Sequence, residues 1–180
     1  MVVVSLTGCS GADNVLEGTF SPGAGRTVLP ETVSSAVVAS AWNLDAMVGL
    51  SADAQGINLA GTKVVTQIGF QLFGDVTEGA AFKLGRATGP VMGLGNVTVR
   101  LREPSGADLG HWATIHPSGE DGTLTVTNVV DSPIIPRPSG ASRETSFDFA
   151  GSARLENNDA TAPESVTFKF SGHVERMIWN

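Results

Sequence analysis

Residues with reactive side chains are few and widely spaced. The chain holds three histidines and one cysteine in 180 residues. His111 and His116 lie five positions apart in a stretch that alternates like a strand. That odd offset sends them to opposite faces, so they do not converge on a metal ion. His116-Pro117-Ser118-Gly119-Glu120-Asp121 brings an imidazole, a hydroxyl and two acids together in sequence. A nucleophilic triad needs a geometry that a tight turn does not supply, and the chain has no Gly-x-Ser-x-Gly elbow. The segment reads as a turn. His173 lies between Ser171 and Glu175 on a polar strand face, a solvated position with some capacity for binding.

Other polar groups are weaker candidates. Glu156-Asn157-Asn158-Asp159 offers oxygen ligands for Ca²⁺ but lacks the spacing of an EF-hand loop. Gly93-Leu94-Gly95 is too short to cradle a phosphate. Trp42, Trp112 and Trp179 are amphipathic aromatics of the kind that stack on a sugar or anchor a partner, with core or edge packing as the favoured reading. Trp112 shares a strand face with Thr114 and His116. Trp112, His116 and His173 are therefore the candidate binding residues. No catalytic set, metal-ligand set or cofactor motif emerges. The expectation is a non-enzymatic chain, with a hydrolase as the lesser alternative.

Cys9 is the residue with a specific chemical fate. It follows the apolar run Met1–Val4 and closes Leu6-Thr7-Gly8-Cys9. Small Thr7 and Gly8 suit a peptidase that needs short side chains at its cut. The segment resembles the lipobox of bacterial lipoproteins. That resemblance implies a lipid on the Cys9 sulfur and cleavage just before it. Residues 1–8 are then a signal remnant, residues 9–14 a lipidated tether, and residues 15–180 one β domain. A full signal carries a positive n-region, and no Lys or Arg precedes Arg26, so the expected start lies upstream of Met1. The family's two or three acyl chains, at roughly 0.8 kcal/mol per buried CH₂, make a lasting anchor. Ser10 after the cysteine implies the outer membrane in that family, where Asp would imply retention. A lipid also caps a lone thiol that an oxidising compartment would otherwise attack.

Composition agrees with export. Charged residues make up 16% and hydrophobic ones 41%, with 22 glycines and nine prolines. Such a low charge fraction suits a turn-rich exported β protein. A net charge of −7 repels phosphate backbones and excludes nucleic acid as a partner. The expected partners are the membrane, through Cys9, and an envelope protein or a glycan.

The elements that must position these residues read as strands. Val64, Thr66, Ile68, Phe70 and Leu72 alternate with Lys63, Gln67 and Gln71. Val97, Val99 and Leu101 repeat the pattern, as do Phe82 and Leu84. Val15–Phe20, Ser34–Leu44 and Leu109–His116 are further strands. Thr123–Val130 turns Leu124, Val126 and Val130 inward. Thr145–Leu155 turns in Phe147, Phe149, Ala153 and Leu155. Ser165–Trp179 turns in Val166, Phe168, Phe170, Val174 and Ile178. The Pro-rich connection Asp131–Ser142 cannot be a central strand. Alternation with one wet face means antiparallel pairing. The expectation is an all-β antiparallel sandwich of about eight or nine strands, with a small barrel as the alternative. A barrel would suit a lipocalin-like carrier of an apolar ligand, given an empty interior. The strand pair followed by Phe-Ser-Gly over Gly122–Gly172 is similar to a layout in many small bacterial lipoproteins, one that carries no known active site.

Overall fold

The computed structural model describes residues 14–22, 29–42, 47–58, 61–86, 90–137, 140–157 and 164–179. Eleven strands build one sheet. In chain order they are β1 (Val15–Pro22), β2 (Thr32–Trp42), β3 (Met47–Ile57), β4 (Lys63–Phe73), β5 (Ala81–Leu84) and β6 (Leu94–Arg102). After them come β7 (Asp108–Ala113), β8 (Gly122–Asp131), β9 (Ile135–Arg137), β10 (Gly140–Asn157) and β11 (Ser165–Trp179). Among the described residues no helix is long and apolar enough to cross a membrane.

Pairing divides the sheet into two faces. One runs β2-β3-β4-β6 and the other β1-β11-β10-β8. Short strands join them: β1 pairs with both β2 and β11, β5 with both β6 and β8, and β7 with both β6 and β10. Phe70 on β4 reaches across the interior to Phe149 and Phe170, with ring centroids 5.9 and 4.9 Å away. Phe20 stacks on Phe168 at 4.4 Å. These rings fill the space between the faces, as a sandwich requires.

Three glycines make room for them. A Cβ on Gly18 would overlap the Phe168 ring, one on Gly151 the Phe170 ring and one on Gly172 the Phe149 ring. Each ring lies over a glycine on a neighbouring strand, which protects otherwise bare backbone.

Most inward positions follow the alternation. Val64, Thr66, Ile68, Phe70 and Leu72 are all buried, as are Phe147, Phe149, Ala153 and Leu155. Two positions differ. Val130 is 65% exposed, and Ile178 yields its inward place to Met177 and Trp179. Each correction has a β-bulge behind it. The β8–β10 register shifts between Ser146 and Asp148, where Asn128 takes a left-handed φ of 55°. The β10–β11 register shifts between Thr145 and Phe147, opposite Glu175 and Arg176. One extra residue reverses every later side chain on the bulged strand. The strand count exceeds the expected one chiefly because β3 and the short β9 went unforeseen. Among the described residues β9 pairs only with β10, at an edge, as Pro136 requires.

Candidate functional site

The two bulges flank one polar cluster. Asn128 Nδ2 donates to Asp148 Oδ2 at 2.6 Å. The other Asp148 oxygen meets His173 Nδ1 at 2.5 Å, and His173 Nε2 faces Glu175 at 3.2 Å. The Glu175 backbone N–H then donates to the Asn14 side chain at 2.7 Å. Strands β8, β10 and β11 are thus tied to the residue just before β1. Cross-strand pairing places His173 opposite both Val15 and Asp148. The bulge at Asn128 aims its amide at Asp148, a common use of such irregularities.

Charge is coupled in this cluster. The Asn128 and His173 hydrogen bonds hold the Asp148 carboxyl below its ordinary value of 3.8. Hydrogen bonding to Asp148, helped by Glu175, holds the His173 imidazolium above its ordinary 6.5. Both ring nitrogens of His173 are engaged by carboxylates, which leaves it a poor general base for Ser171 on the same face. The raised His173 value gives stability that is full below about pH 6.5 and lost as pH rises through the folded value. The lowered Asp148 value gives stability that is present above about pH 3.8 and lost as pH falls through its folded value. Both side chains are more than a third exposed, so the cluster is worth at most about 1 kcal/mol. Urea unfolding of wild type should show a small loss between about pH 5 and about pH 9 that His173→Gln removes. An equal alkaline loss in the variant would assign the effect to another group.

The other candidates are placed as follows. His116 is committed to its turn: its backbone N–H donates to Asp121 Oδ2 at 2.8 Å and its Nδ1 meets Oδ1 at 2.6 Å. The stretch Pro117–Gly119 between them is a 3-10 turn, as the sequence indicates, while β7 ends at Ala113 and not at the expected His116; the Ser118 side chain lies outside the described residues. Trp112 takes the favoured core position, which corrects its candidacy as a binding residue. It is 1% exposed and faces the interior, where its indole lies over Gly110. Thr114 is buried with it, so this face meets the core and no external ligand reaches Trp112. Trp179 is buried as well and donates from Nε1 to Thr145 Oγ1 at 2.9 Å. The Trp42 side chain and Cys9 lie outside the described residues, as do Asn158 and Asp159 of the acidic loop. Glu156 of that loop pairs with Arg154 at 2.5 Å.

One surface feature was not foreseen. A trough of about 760 Å³ crosses the outer side of β2, β1, β11, β10 and β8. Glu17, Thr19, Ser34, Ser152, Lys169 and Ser171 line it. A shallower depression of about 330 Å³ shares Glu17, Ala150 and Ser171 with it and ends at His173 and Asp148. The polar cluster therefore closes one end of a hydroxyl-rich surface. The alternation marks Ser152, Lys169 and Ser171 as outward, but only the pairing register sets them beside Glu17, Thr19 and Ser34. No family model, curated protein or solved structure matches the chain.

Proposed function

We propose that this protein is a lipid-anchored component of a bacterial envelope, a β-sandwich held at the membrane through Cys9 with a binding rather than catalytic role. The observation that carries the reading is the fixing of Asn14. Its side chain accepts from the Glu175 N–H, and its carbonyl accepts from the Val37 N–H at 3.0 Å. The body is thus locked five residues after Cys9. Five residues span at most about 18 Å. A lipid on Cys9 would hold this end of the sandwich close to the headgroups, beside the polar cluster.

The filled interior favours a binding surface over the lipocalin-like carrier, which needs apolar room inside. Hydroxyl side chains in the outer trough suit a polar partner, a glycan or an envelope protein. Both histidines nearest to candidate acids are engaged by carboxylates, which favours the non-catalytic reading over a hydrolase. The test is mass spectrometry of the protein expressed in a bacterial host from an upstream start. The expected result is acylation of Cys9 and release of Cys9→Ser from the membrane fraction. An unmodified thiol on Cys9 would overturn the anchor.

A further inference from the structure

On the outer side of β3, β4, β6 and β7, one row of polar side chains is left without partners. Pairing aligns Asp53 with Gln67, Gln67 with Arg100 and Arg100 with His111. Strands lie about 4.8 Å apart, so Asp53 and Arg100 are rooted about 10 Å from each other across Gln67. In the next row Gly69 stands between Ser51 and Thr98 and contributes no side chain. The surface drops there into a depression of about 380 Å³, lined by Ser51, Asp53, Gln67, Thr98, Arg100 and His111. A Cβ on Gly69 would come within 3.0 Å of Thr98 Oγ1, so the floor has little room for any larger residue.

Arg102, Arg143, Arg154 and Arg176 each meet a carboxylate. Arg100, like Arg86, meets none among the described residues, although the chain carries 18 acids against 11 bases. Its neighbour Asp108 is taken by Arg102 at 3.0 Å. The Asp53 carboxylate is likewise unpaired among the described residues. Only its backbone oxygen is used, by Ser35 Oγ at 2.7 Å. The row therefore holds a free acid and a free guanidinium apart, with donors between and beside them.

We propose that this depression binds a short zwitterionic peptide, with its carboxylate on Arg100 and His111 and its amine on Asp53. A guanidinium presents paired N–H donors in the geometry a carboxylate accepts. The His111 ring adds a donor beside it. Gln67, Ser51 and Thr98 offer hydrogen bonds to the peptide groups of the ligand. An extended tripeptide spans about 10 Å, which matches the separation of the two charges along the row.

The test is an amide-resolved NMR titration of the full chain with trialanine, its C-terminal amide, its N-acetyl derivative and acetate. Trialanine should give saturable shifts at Gly69, Thr98 and His111. Each blocked derivative should bind about tenfold more weakly, as should trialanine to Arg100→Gln or Asp53→Asn. Both side chains are exposed, so these variants should keep the wild-type spectrum elsewhere. The proposal fails if trialanine gives no saturable shift at these residues. It fails also if Arg100→Gln binds trialanine as tightly as wild type, or if acetate matches trialanine, which would leave an anion site only.

Discussion

Phe70→Ala should destabilise the fold by about 3–5 kcal/mol, the usual cost of deleting a buried aromatic ring. Phe70 is 4% exposed and is the ring through which the two faces of the sheet touch. It lies edge-on to Phe170 at 4.9 Å and to Phe149 at 5.9 Å, with Phe168 at 6.5 Å. Removing it takes away apolar burial and the favourable edge-to-face geometry together. The remaining rings are each seated over a glycine and are poorly placed to collapse into the gap. Domains of this size hold about 5–15 kcal/mol in all, so the variant should sit near the limit of folding at 37 °C. Urea unfolding followed by tryptophan fluorescence measures it. A loss under about 1 kcal/mol would mean that the two faces are not locked through this ring.

The second large effect falls on a glycine in the middle of a strand. A Cβ on Gly151 would overlap the Thr123 carbonyl oxygen and come within 2.9 Å of Phe170 Cζ and 3.0 Å of Leu124 Cα. Two of those three atoms are backbone, in the strand to which β10 is hydrogen-bonded through Gly151–Leu124. A flexible side chain could swing aside, but a paired strand moves only by breaking its ladder. Gly151→Ala should therefore cost about 1–3 kcal/mol or more, as overpacking does. Gly56→Ala is the control. Its added methyl meets only Pro30 Cβ, at an ordinary 3.8 Å, and should change stability by less than about 0.5 kcal/mol. Equal effects at the two sites would refute the steric argument.

How much of this was visible in the sequence follows from what a period of two can encode. Alternation over Val64–Leu72 and Phe147–Leu155 identified inward faces because large apolar side chains mark them. β3 was missed because its inward positions include Ala52 and Ala54, with Gly49 and Gly56 beside them, which give little hydrophobic contrast. Val130 and Ile178 were assigned the wrong side because a bulge is fixed by what lies across the ladder. Trp112 and Thr114 do share a face, as the sequence indicated. That face turned out to be the core, which alternation alone cannot distinguish from a polar patch with a tryptophan in it. The polar cluster was hidden for another reason. Asn128 lies 20 residues from Asp148, and Asp148 lies 25 from His173, so only strand pairing brings them together. The sequence places His173 on a polar face beside Glu175, but its other acid neighbour, Asp148, cannot be paired with it from spacing alone. The row from Asp53 to His111 runs over four strands and is likewise a product of register.

The joining of β1 to β11 also has a consequence in time. Asn14 and Glu175 stand 161 positions apart, yet they share a hydrogen bond, and Val15 pairs with His173. β1 can pair with β2 early, but its other edge stays open until β11 has left the ribosome. Until then the edge of β1 that meets β11 is unpaired, and Phe20 lacks the Phe168 ring on which it stacks. Long-separation pairings of this kind place folding in the slow regime of milliseconds to seconds.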